Sequence, residues 1–346
     1  MYLFNSDYLE GAHPLIMKAL ADTNLTQTPG YGTDAFCRDA ADKIRAACES
    51  PDSFVHFLVG GTQANMTVIS AFLHPWEGVI SADTGHINVH ETGAVESTGH
   101  KVLALPGKNG KISAAQIEAC AKAHMADSDR EHTVKPAMVY LSQSTELGTL
   151  YSLAELTDIS GVCKKCGLLL FVDGARLAYA LACGKNDVKL SDLARLTDAF
   201  YIGGTKCGAL FGEAVVIRPP ELSRHFRYMI KQKGGMLAKG RLLGIQFGTL
   251  FTDGLYEKVG AHGIRLADRI RAALSENGYR LFAESPTNQL FPIFSSRQLE
   301  ALSKEFSFTL WQKLENGAAV RICTSWATDD TAVDKLVGML KDLRQA

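Results

Sequence analysis

Ala199-Phe-Tyr-Ile-Gly-Gly-Thr-Lys-Cys-Gly208 places a lysine shortly after an apolar run. The run predicts a buried strand that ends at the two glycines, and a second buried strand is predicted over Glu213–Ile217. Lys206 would then stand on a loop at the carboxyl end of a strand, where an unpaired ammonium is costly to bury. Such a lysine either extends its head group into solvent or has a lowered pKa and acts as an amine nucleophile that forms Schiff bases.

The composition is that of an ordinary globular protein. The chain has 346 residues, 46% hydrophobic and 21% charged, which is enough to bury a sizeable core in one large domain or two. A formal net charge of −1 gives no electrostatic reason to expect a nucleic acid or an anionic membrane as partner. Met1–Asn5 lacks the pattern of a signal peptide, and no apolar run reaches the roughly 20 residues of a membrane helix. Eight scattered cysteines predict free thiols and a cytoplasmic location.

From Phe54 onward, predicted strands and helices alternate. This alternation favours an α/β fold with a mostly parallel sheet covered by helices on both faces. Leu168–Val172 is the most strongly buried of the strands, a helix is expected over Ile87–Ser97, and a long helical tract is expected from Pro220 to about Lys231. We expect three parts in the chain: an N-terminal arm over 1–14, a large domain over 15–253 and a small α+β domain over 254–346.

Open α/β sheets bind ligands at the carboxyl ends of their strands, and several polar features are predicted there. Gly60-Gly61-Thr62 lets the backbone approach a ligand at a helix N-terminus and predicts a phosphate seat, although any strand-to-helix turn can need glycines. Asp173 follows the most buried strand, either as a helix cap or as the partner of a buried cation. His86 follows the strand over 79–81, either as a core histidine or as a catalyst.

Together with Lys206, these features indicate pyridoxal 5′-phosphate as cofactor. Lys206 would hold it as a Schiff base, and Asp173 would face the pyridine nitrogen and keep it protonated, since an ion pair in a low dielectric favours both charges. A protonated ring is the better electron sink. No Gly-x-Gly-x-x-Gly and no Gly-x-x-x-x-Gly-Lys-Ser/Thr motif supports a nucleotide enzyme.

Two pairs of residues have a spacing that a metal ion can use. Cys163-Lys-Lys-Cys166 lacks a second Cys or His pair at a suitable distance. His86 and His90 would lie one helical turn apart, but no Glu follows the first His as it does in metallohydrolase helices. We therefore predict that the protein binds no metal ion.

At these residues the chain resembles the L-threonine aldolases, which belong to the aspartate-aminotransferase-like (fold type I) enzymes and to the β-eliminating lyase group. The resemblance extends over almost the whole chain. It implies a large pyridoxal-phosphate-binding α/β domain and a small C-terminal α+β domain. Its most specific part is Asp-Gly-Ala-Arg followed, at this distance, by Thr-Lys. The segments that carry it are Asn5-Ser6-Asp7, Tyr31–Asp34, Gly60–Asn65, His86, Asp173–Arg176, Gly204–Ala214, Leu237–Arg241 and Val320-Arg321.

The resemblance implies a role for each matching residue. His86 would stack on the pyridine ring, and Arg321 would clamp the substrate carboxylate as a planar bidentate fork. The implied catalytic residues are Lys206, His86 and Asp173. The implied cofactor-binding residues are Gly60, Gly61, Thr62, His86, Asp173, Arg176, Thr205 and Lys206. The implied substrate-binding residues are Ser6, Tyr31, Arg176 and Arg321.

A homodimer or homotetramer, with active sites at the dimer interface, is also implied by the resemblance. Tyr31 and one basic residue would reach across that interface into the partner's site. The candidates for the basic residue are Lys231, Lys233, Lys239 and Arg241.

The activity that the resemblance implies is retro-aldol cleavage of L-threonine, L-allo-threonine or a related β-hydroxy-α-amino acid to glycine and an aldehyde. A clamped carboxylate fixes which Cα bond overlaps with the cofactor's π-system, and removal of the β-hydroxyl proton then breaks Cα–Cβ. The alternatives are β-elimination, racemisation or transamination on the same scaffold, or a non-catalytic protein of the same fold.

One departure from the family pattern concerns the proton acceptor. Many members carry Glu-Asn-Thr-His-Asn after the strand that here ends at Ser142, whereas this chain has Ser142-Gln-Ser-Thr-Glu146. Thr145 or a neighbour stands where the His would be, and a threonine is no general base near neutral pH. The acceptor would then be His86, Glu146 or a water molecule. The departure also leaves open another β-hydroxy substrate, such as phenylserine.

Overall fold

The computed structural model describes residues 1–344, so positions 345 and 346 of the predicted small domain lie outside the described part. Its strands are β1 (Tyr2–Leu3), β2 (Phe54–Leu58), β3 (Glu77–Ala82), β4 (Val102–Leu105), β5 (Lys135–Ser142), β6 (Leu169–Asp173), β7 (Ala199–Gly203), β8 (Glu213–Ile217), β9 (Leu281–Ala283), β10 (Gln289–Ser295), β11 (Phe306–Ser307), β12 (Thr309–Leu314) and β13 (Gly317–Cys323). Its helices are α1 (Pro14–Asp22), α2 (Ala35–Ala47), α3 (Gly61–Phe72), α4 (His86–Val89), α5 (Ala114–Ala126), α6 (Leu153–Cys166), α7 (Leu177–Ala182), α8 (Leu190–Leu196), α9 (Pro220–Ser223), α10 (Phe226–Gln232), α11 (Arg241–Leu250), α12 (Leu255–Glu276), α13 (Ser296–Leu302) and α14 (Asp330–Asp342).

A seven-stranded central sheet has the strand order β2-β8-β7-β6-β5-β3-β4. Neighbouring strands from β7 to β4 are parallel, and β8 runs antiparallel to both β7 and β2. Every residue of β7 and β8 is buried, because helices cover both faces of the sheet, and both strands are accordingly apolar along most of their length. The predicted mostly parallel sheet flanked by helices is confirmed.

This topology brings the ends of several strands to one edge of the sheet. The carboxyl ends of β2, β3, β5, β6 and β7 lie there. Because β8 is antiparallel to its neighbours, it presents its first residue, Glu213, at the same edge, opposite Leu58 of β2 and Gly203 of β7. Strand β8 therefore contributes the Glu213 carboxyl group to an edge at which the neighbouring strands end.

A second, antiparallel sheet has the order β12-β13-β10-β9 and packs against α12 and α14. The predicted arm belongs partly to this region: β1 pairs in parallel with β11, and Phe4 is buried in the same core. The long helix α12 begins directly after Gly254 and packs on α7 so closely that a Cβ at Gly260 would lie 2.1 Å from the carbonyl oxygen of Ala178. The division of the chain at 253/254 stays a prediction.

Two helix predictions are wrong. The helix expected over Ile87–Ser97 ends at Val89, because Thr92 (φ 52°) and Gly93 (φ 71°) adopt the left-handed conformation that breaks a right-handed helix. The tract from Pro220 is two short helices, since His225 leaves the helical conformation between them (φ −119°, ψ 7°). Within residues 1–344, no helix is both long and apolar enough to span a lipid bilayer.

Candidate active site

Two adjoining cavities open at the carboxyl edge of the central sheet. The inner cavity, of about 280 Å³, is lined by Tyr8, Val59, Gly60, Gly61, Thr62, His86, Ser142, Ser144, Glu146, Asp173, Ala175, Arg176, Tyr201, Thr205, Lys206, Phe211 and Glu213. The outer cavity, of about 520 Å³, is lined by Tyr8, His86, His90, Glu146, Arg176, Lys206, Thr309, Leu310, Trp311 and Arg321. Together they have the size of a typical small-molecule site. Most of the predicted site residues therefore meet in one place.

Lys206 lines both cavities, and buried tyrosines hold its loop. The Tyr179 hydroxyl donates to the Lys206 carbonyl (2.7 Å), and the Tyr256 hydroxyl donates to the Gly203 carbonyl (3.1 Å). A Cβ at Gly203 would lie 2.3 Å from a backbone oxygen of the neighbouring loop, so only glycine fits there. Burial and the charge of Arg176 lower the pKa of Lys206, which increases the fraction of neutral, nucleophilic amine.

Asp173, the last residue of β6, is buried and keeps its charge. The Tyr140 hydroxyl (2.6 Å) and Asn65 Nδ2 (3.1 Å) donate to its Oδ2. Burial acts to raise the pKa of Asp173, but the neighbouring His86 and hydrogen bonds from Tyr140 and Tyr201 outweigh it and hold the pKa below its ordinary value. An ionised carboxylate in this position can stabilise a cationic ring nitrogen.

His86 is oriented by Glu91, a residue that the sequence analysis missed. Its Nδ1 lies 2.7 Å from Glu91 Oε1, and Asn65 Nδ2 donates to the same oxygen (2.7 Å). Asn65 thus joins the Glu91 and Asp173 carboxylates behind the imidazole. Since α4 ends before Glu91, the contact depends on a turn that no helical or strand periodicity in the sequence indicates.

Glu146, and not Thr145, faces the cavities. Glu146 lines both of them, whereas Thr145 lines neither, and the Thr145 hydroxyl lies 2.7 Å from that of Thr149. Glu146 Oε1 accepts hydrogen bonds from the Ser142 hydroxyl (2.7 Å) and from the backbone N–H of His86 (3.0 Å). Burial raises the pKa of Glu146 above its ordinary value, and the Ser142 hydrogen bond offsets only part of this effect. A carboxyl group with a raised pKa is suited to proton transfer near neutral pH.

Thr205 is bound to Glu213, another residue that was not predicted to be functional. The Thr205 hydroxyl accepts a hydrogen bond from the Gly212 N–H (3.0 Å) and donates to Glu213 Oε1 (2.9 Å). Gly204 N–H donates to Glu213 Oε2 (3.1 Å). Burial raises the pKa of Glu213 to about 8, against the lowering effect of the Thr205 hydrogen bond and of Lys206.

The predicted phosphate seat has free donors. Helix α3 begins after Gly60, and no side chain among the described residues caps it, so its first N–H groups are available at the inner cavity. The buried Ser144 hydroxyl lines the same cavity and has no hydrogen-bond partner within residues 1–344. A helix N-terminus for the phosphate, an amine for the aldehyde carbon and a carboxylate for the ring nitrogen fit pyridoxal 5′-phosphate.

The two arginines that were predicted to bind the substrate differ in the hydrogen-bond partners of their guanidinium groups. Arg176 is bound bidentately by Asp7 of the arm, through Nε (2.7 Å) and Nη2 (3.0 Å). Arg321 lines the outer cavity, and its buried Nε has no hydrogen-bond partner in the described part of the chain. Its Nη2 donates to the Asn5 carbonyl (3.1 Å). Ser6 is buried and lines neither cavity. Arg321 thus has an unpaired donor, and Arg176 keeps the side of its guanidinium that Asp7 does not contact.

Tyr31 lies away from both cavities of its own chain. It lines a separate groove, and the Lys231 ammonium sits 4.8 Å from the centroid of its ring. Arg241, another candidate basic residue, donates to the carbonyls of Thr23 and Thr26. The structure thus does not bring Tyr31 or these two basic residues to the site within one chain.

The two pairs of residues with metal-compatible spacing do not form a metal centre. Among residues 1–344, no group of three or more His, Cys, Asp or Glu side chains is arranged to hold a metal ion. His86 and His90 have ring centroids 5.6 Å apart, and the pKa of Cys163 is raised by burial to about 12, so its thiol stays protonated.

Comparison with known proteins gives consistent similarities. Residues 4–297 match the model of the beta-eliminating lyase family. The low specificity L-threonine aldolase of Pseudomonas sp. (strain NCIMB 10558) is 31% identical, over 99% of this chain and 98% of the relative.

Solved structures resemble the fold. The threonine aldolase of Leishmania major is 47% identical, with a TM-score of 0.97 over 99% of this chain and 100% of that chain. An aspartate aminotransferase of Thermus thermophilus, only 14% identical, superposes with a TM-score of 0.72 over 99% of this chain and 91% of its own. The predicted fold class is thereby confirmed.

Proposed function

The chain belongs to the beta-eliminating lyase family, and from this we propose that it is a pyridoxal-phosphate-dependent aldolase. It cleaves L-threonine, L-allo-threonine or a related β-hydroxy-α-amino acid to glycine and an aldehyde. The full-length similarity to a low specificity L-threonine aldolase supports this activity. The observation that carries the proposal is one site where Lys206 and Asp173 line an inner cavity that adjoins the outer cavity lined by Arg321.

The residues of the inner cavity would hold the cofactor. Lys206 would bind it covalently, the turn at Gly60, Gly61 and Thr62 would bind its phosphate, and Asp173 would face its ring nitrogen. When bound, pyridoxal 5′-phosphate supplies an electron sink for the electron pair left on the substrate Cα. His86, held by Glu91, would form one wall against the ring.

The substrate carboxylate would bind in the outer cavity. Arg321 lines that cavity, and a guanidinium matches the bidentate geometry of a carboxylate. Arg176 would contribute the side of its guanidinium that Asp7 leaves free. Ser6, which is buried in the arm and lines neither cavity, would act indirectly by holding the arm in place. Fixing the carboxylate orients the Cα–Cβ bond and so selects the bond that breaks.

We assign the β-hydroxyl proton to Glu146. It lines both the cavity assigned to the cofactor and the cavity assigned to the substrate carboxylate, and its raised pKa matches a base that works near neutral pH. His86 is engaged by Glu91 through Nδ1, which leaves Nε2 for the second transfer, protonation of Cα to give glycine.

The experiment that tests the function is product analysis. Purified holoenzyme supplied with L-threonine or L-allo-threonine should release glycine and acetaldehyde in equal amounts, and phenylserine should yield benzaldehyde if the site admits it. Ammonia with a 2-oxo acid, or an inverted amino acid, would instead indicate another reaction of the same cofactor. Lys206→Ala should lose both the visible absorbance of the bound cofactor and turnover; turnover retained by this variant would contradict the proposal.

The assembly and location are also proposals. We propose a homodimer or homotetramer in which Tyr31 and a neighbouring basic residue act in the partner's site, because Tyr31 is 48% exposed and lies outside the cavities of its own chain. We propose a cytoplasmic location on the ground that all eight cysteines are free.

A further inference from the structure

Glu213 is a carboxyl group at a site that is to hold a phosphate. It lines the inner cavity together with Gly60, Gly61 and Thr62, and the strand register places it opposite Leu58, two residues before that turn. An ionised carboxylate and a phosphate repel each other strongly when both are withdrawn from water. The free donors of α3 favour an anion here, whereas an ionised Glu213 opposes one.

The hydrogen bonds around Thr205 depend on where the Glu213 proton is. With Glu213 ionised, the Thr205 hydroxyl hydrogen is used in the bond to Oε1, and the hydroxyl oxygen accepts from Gly212 N–H. Only lone pairs would then remain for the phosphate. With Glu213 protonated, its O–H can donate to the Thr205 oxygen, which has a second lone pair for that bond. The Thr205 hydrogen is then released to donate to the phosphate.

We propose that Glu213 is a positioning residue that carries a proton when the cofactor phosphate is bound, and that this proton reverses the Thr205–Glu213 hydrogen bond. This inference rests on the proposed function, because it takes pyridoxal 5′-phosphate as the occupant of the inner cavity. It also explains how Thr205, already committed to Glu213 in the present arrangement, can serve as a phosphate ligand.

The charged surroundings of Glu213 are consistent with an acid that loses its proton slightly above neutral pH. Burial raises its pKa to about 8, and Asp173 acts in the same direction while Lys206 acts in the opposite one. The turn after β2 brings no titratable side chain to the cavity. The other titratable groups near Glu213 are Tyr201 on β7, Cys207 on the lysine loop and Tyr256 on α12.

Loading of the cofactor should therefore depend on pH. The protonated form of Glu213 binds the phosphate, so affinity is highest below pH 8 and falls above it, approaching about tenfold per pH unit for the loss of one required proton. Glu213→Gln cannot ionise, and its amide N–H can donate to the Thr205 oxygen in place of the acid. The affinity of this variant for the phosphate should therefore not decline above pH 8.

The test uses 4′-deoxypyridoxine 5′-phosphate, which has the ring and the phosphate but cannot react with Lys206. Its dissociation constant is measured between pH 7 and 9.5 for the apo form of the wild-type chain and of Glu213→Gln. Titration of the probe itself affects both proteins equally, so dividing the dissociation constant of the wild type by that of Glu213→Gln isolates the effect of Glu213. We expect this ratio to rise at least tenfold between pH 7 and 9.5. A constant ratio would overturn the inference and leave the proposed function intact.

Two further variants separate the alternatives. Lys206→Ala keeps Glu213 and removes the cation that lowers its pKa, so the decline in affinity should persist and begin at a higher pH. A decline that Lys206→Ala abolishes but Glu213→Gln retains would assign the proton to Lys206. Thr205→Val should weaken binding at pH 7, whereas Thr205→Ser should not. If Glu213→Gln does not fold, infrared spectra of the apo wild type must still show a protonated carboxyl band at pH 7 that vanishes by pH 9.5, and Glu146→Gln must show the same band. A folded wild-type chain that does not bind the probe at any pH would contradict the proposed function itself.

Discussion

Asp173 is buried and Glu146 is half-buried at the same cavity, yet the pKa values of their carboxyl groups shift in opposite directions. Asp173 accepts hydrogen bonds from Tyr140, Asn65 and the Ala175 N–H, and His86 stabilises its charge. Glu146 has fewer donors and is repelled by Asp173, so burial dominates. Two side chains of the same chemistry thus separate into a fixed anion and a group that can exchange a proton.

Tyr140→Phe tests how Asp173 keeps its charge. The change removes the 2.6 Å hydrogen bond to Oδ2, and a hydrogen bond to a charged group contributes about 1.5–3 kcal/mol. The pKa of Asp173 should rise, so the acidic limb of the kcat/KM profile should move to higher pH. Tyr279→Phe removes a hydroxyl in the C-terminal part of the chain, where it donates to the Leu340 carbonyl, and serves as the control. Identical profiles for the two variants would refute the assignment.

Glu146→Gln should lower kcat by about 10²–10⁴-fold, since general base catalysis contributes that much.

The same substitution should increase the stability of the folded protein. The folded pKa of Glu146 is raised, so its ionisation costs stability, and this cost appears as pH rises through the folded pKa. The variant should therefore resist urea better than the wild type at pH 8, with the gap closing toward pH 4. Glu300→Gln, the same change at an exposed position of α13, provides the baseline. A variant with full activity would exclude Glu146 as the base.

At the residue scale, the sequence could predict functional side chains that directly follow a buried strand. Lys206 and Asp173 follow apolar runs that mark buried strands, so their place at the sheet edge can be deduced. Glu91 and Asn65 could not be deduced, because each acts through a contact set by tertiary packing. The sequence shows that Glu213 is the polar first residue of a buried strand. It does not show that β8 runs antiparallel to its neighbours, which is what brings Glu213 to the site.

At the scale of elements, the N-terminal arm connects three parts of the molecule. Strand β1 pairs with β11, and Asp7 bonds to Arg176 after β6 and to Asn288 Nδ2 (2.9 Å) just before β10. Burial acts to raise the pKa of Asp7, but Arg176 and Lys206 outweigh it and hold the pKa below its ordinary value. The arm therefore fixes the guanidinium of Arg176 and links the residue after β6 to the residue before β10.

Asp7→Asn should be strongly destabilising. It leaves the buried Arg176 charge without its partner, and breaking a buried pair in this way costs about 3–5 kcal/mol. Because the folded pKa of Asp7 is lowered, the wild type itself should lose this stabilisation as pH falls from about 4 through the folded pKa. Urea unfolding at pH 7 measures the difference. Glu305→Gln, which breaks an exposed pair with Lys335, should cost far less, because water screens that pair. Equal losses would contradict the role of the arm.

Elements were predictable where hydrophobicity alone specifies them. The strands β7 and β8 follow from apolar runs. The helix after His86 was predicted too long, because its end is set by the left-handed turn at Thr92 and Gly93. Strand β12 alternates between half-buried and exposed residues and carries little apolar signal, although Trp311 on it lines the outer cavity.

For the whole molecule, the sequence predicted the fold class because the alternating elements allow few arrangements other than a sheet between helices. The assembly could not be obtained in this way. Tyr31 and Lys231 form a contact at the surface of their own chain, and residues on a surface acquire a role only through what docks there. The proposal that they complete a partner's site is therefore best tested with two chains at once.

Mixing two inactive variants should restore activity if the site is shared. In a dimer of Lys206→Ala with Tyr31→Ala, one site would combine an intact lysine with an intact partner tyrosine. Random mixing should then recover about a quarter of the wild-type activity in a two-fold dimer. Lys206→Ala mixed with Asp173→Asn is the control, since both changes fall on a chain's own site and no intact site can form. Recovery in neither mixture would place Tyr31 outside the partner's site.

Trp311 stands at the wall of the outer cavity, with the Arg321 guanidinium 5.9 Å from its ring centroid and Phe291 packed edge-on against it. A charge that arrives at Arg321 must alter the electric field across this indole, and with it the colour and yield of its emission. The chain has only two other tryptophans, Trp76 and Trp326. With both replaced by phenylalanine, the protein would be its own optical reporter of carboxylate binding, readable in a stopped-flow instrument without dye or label.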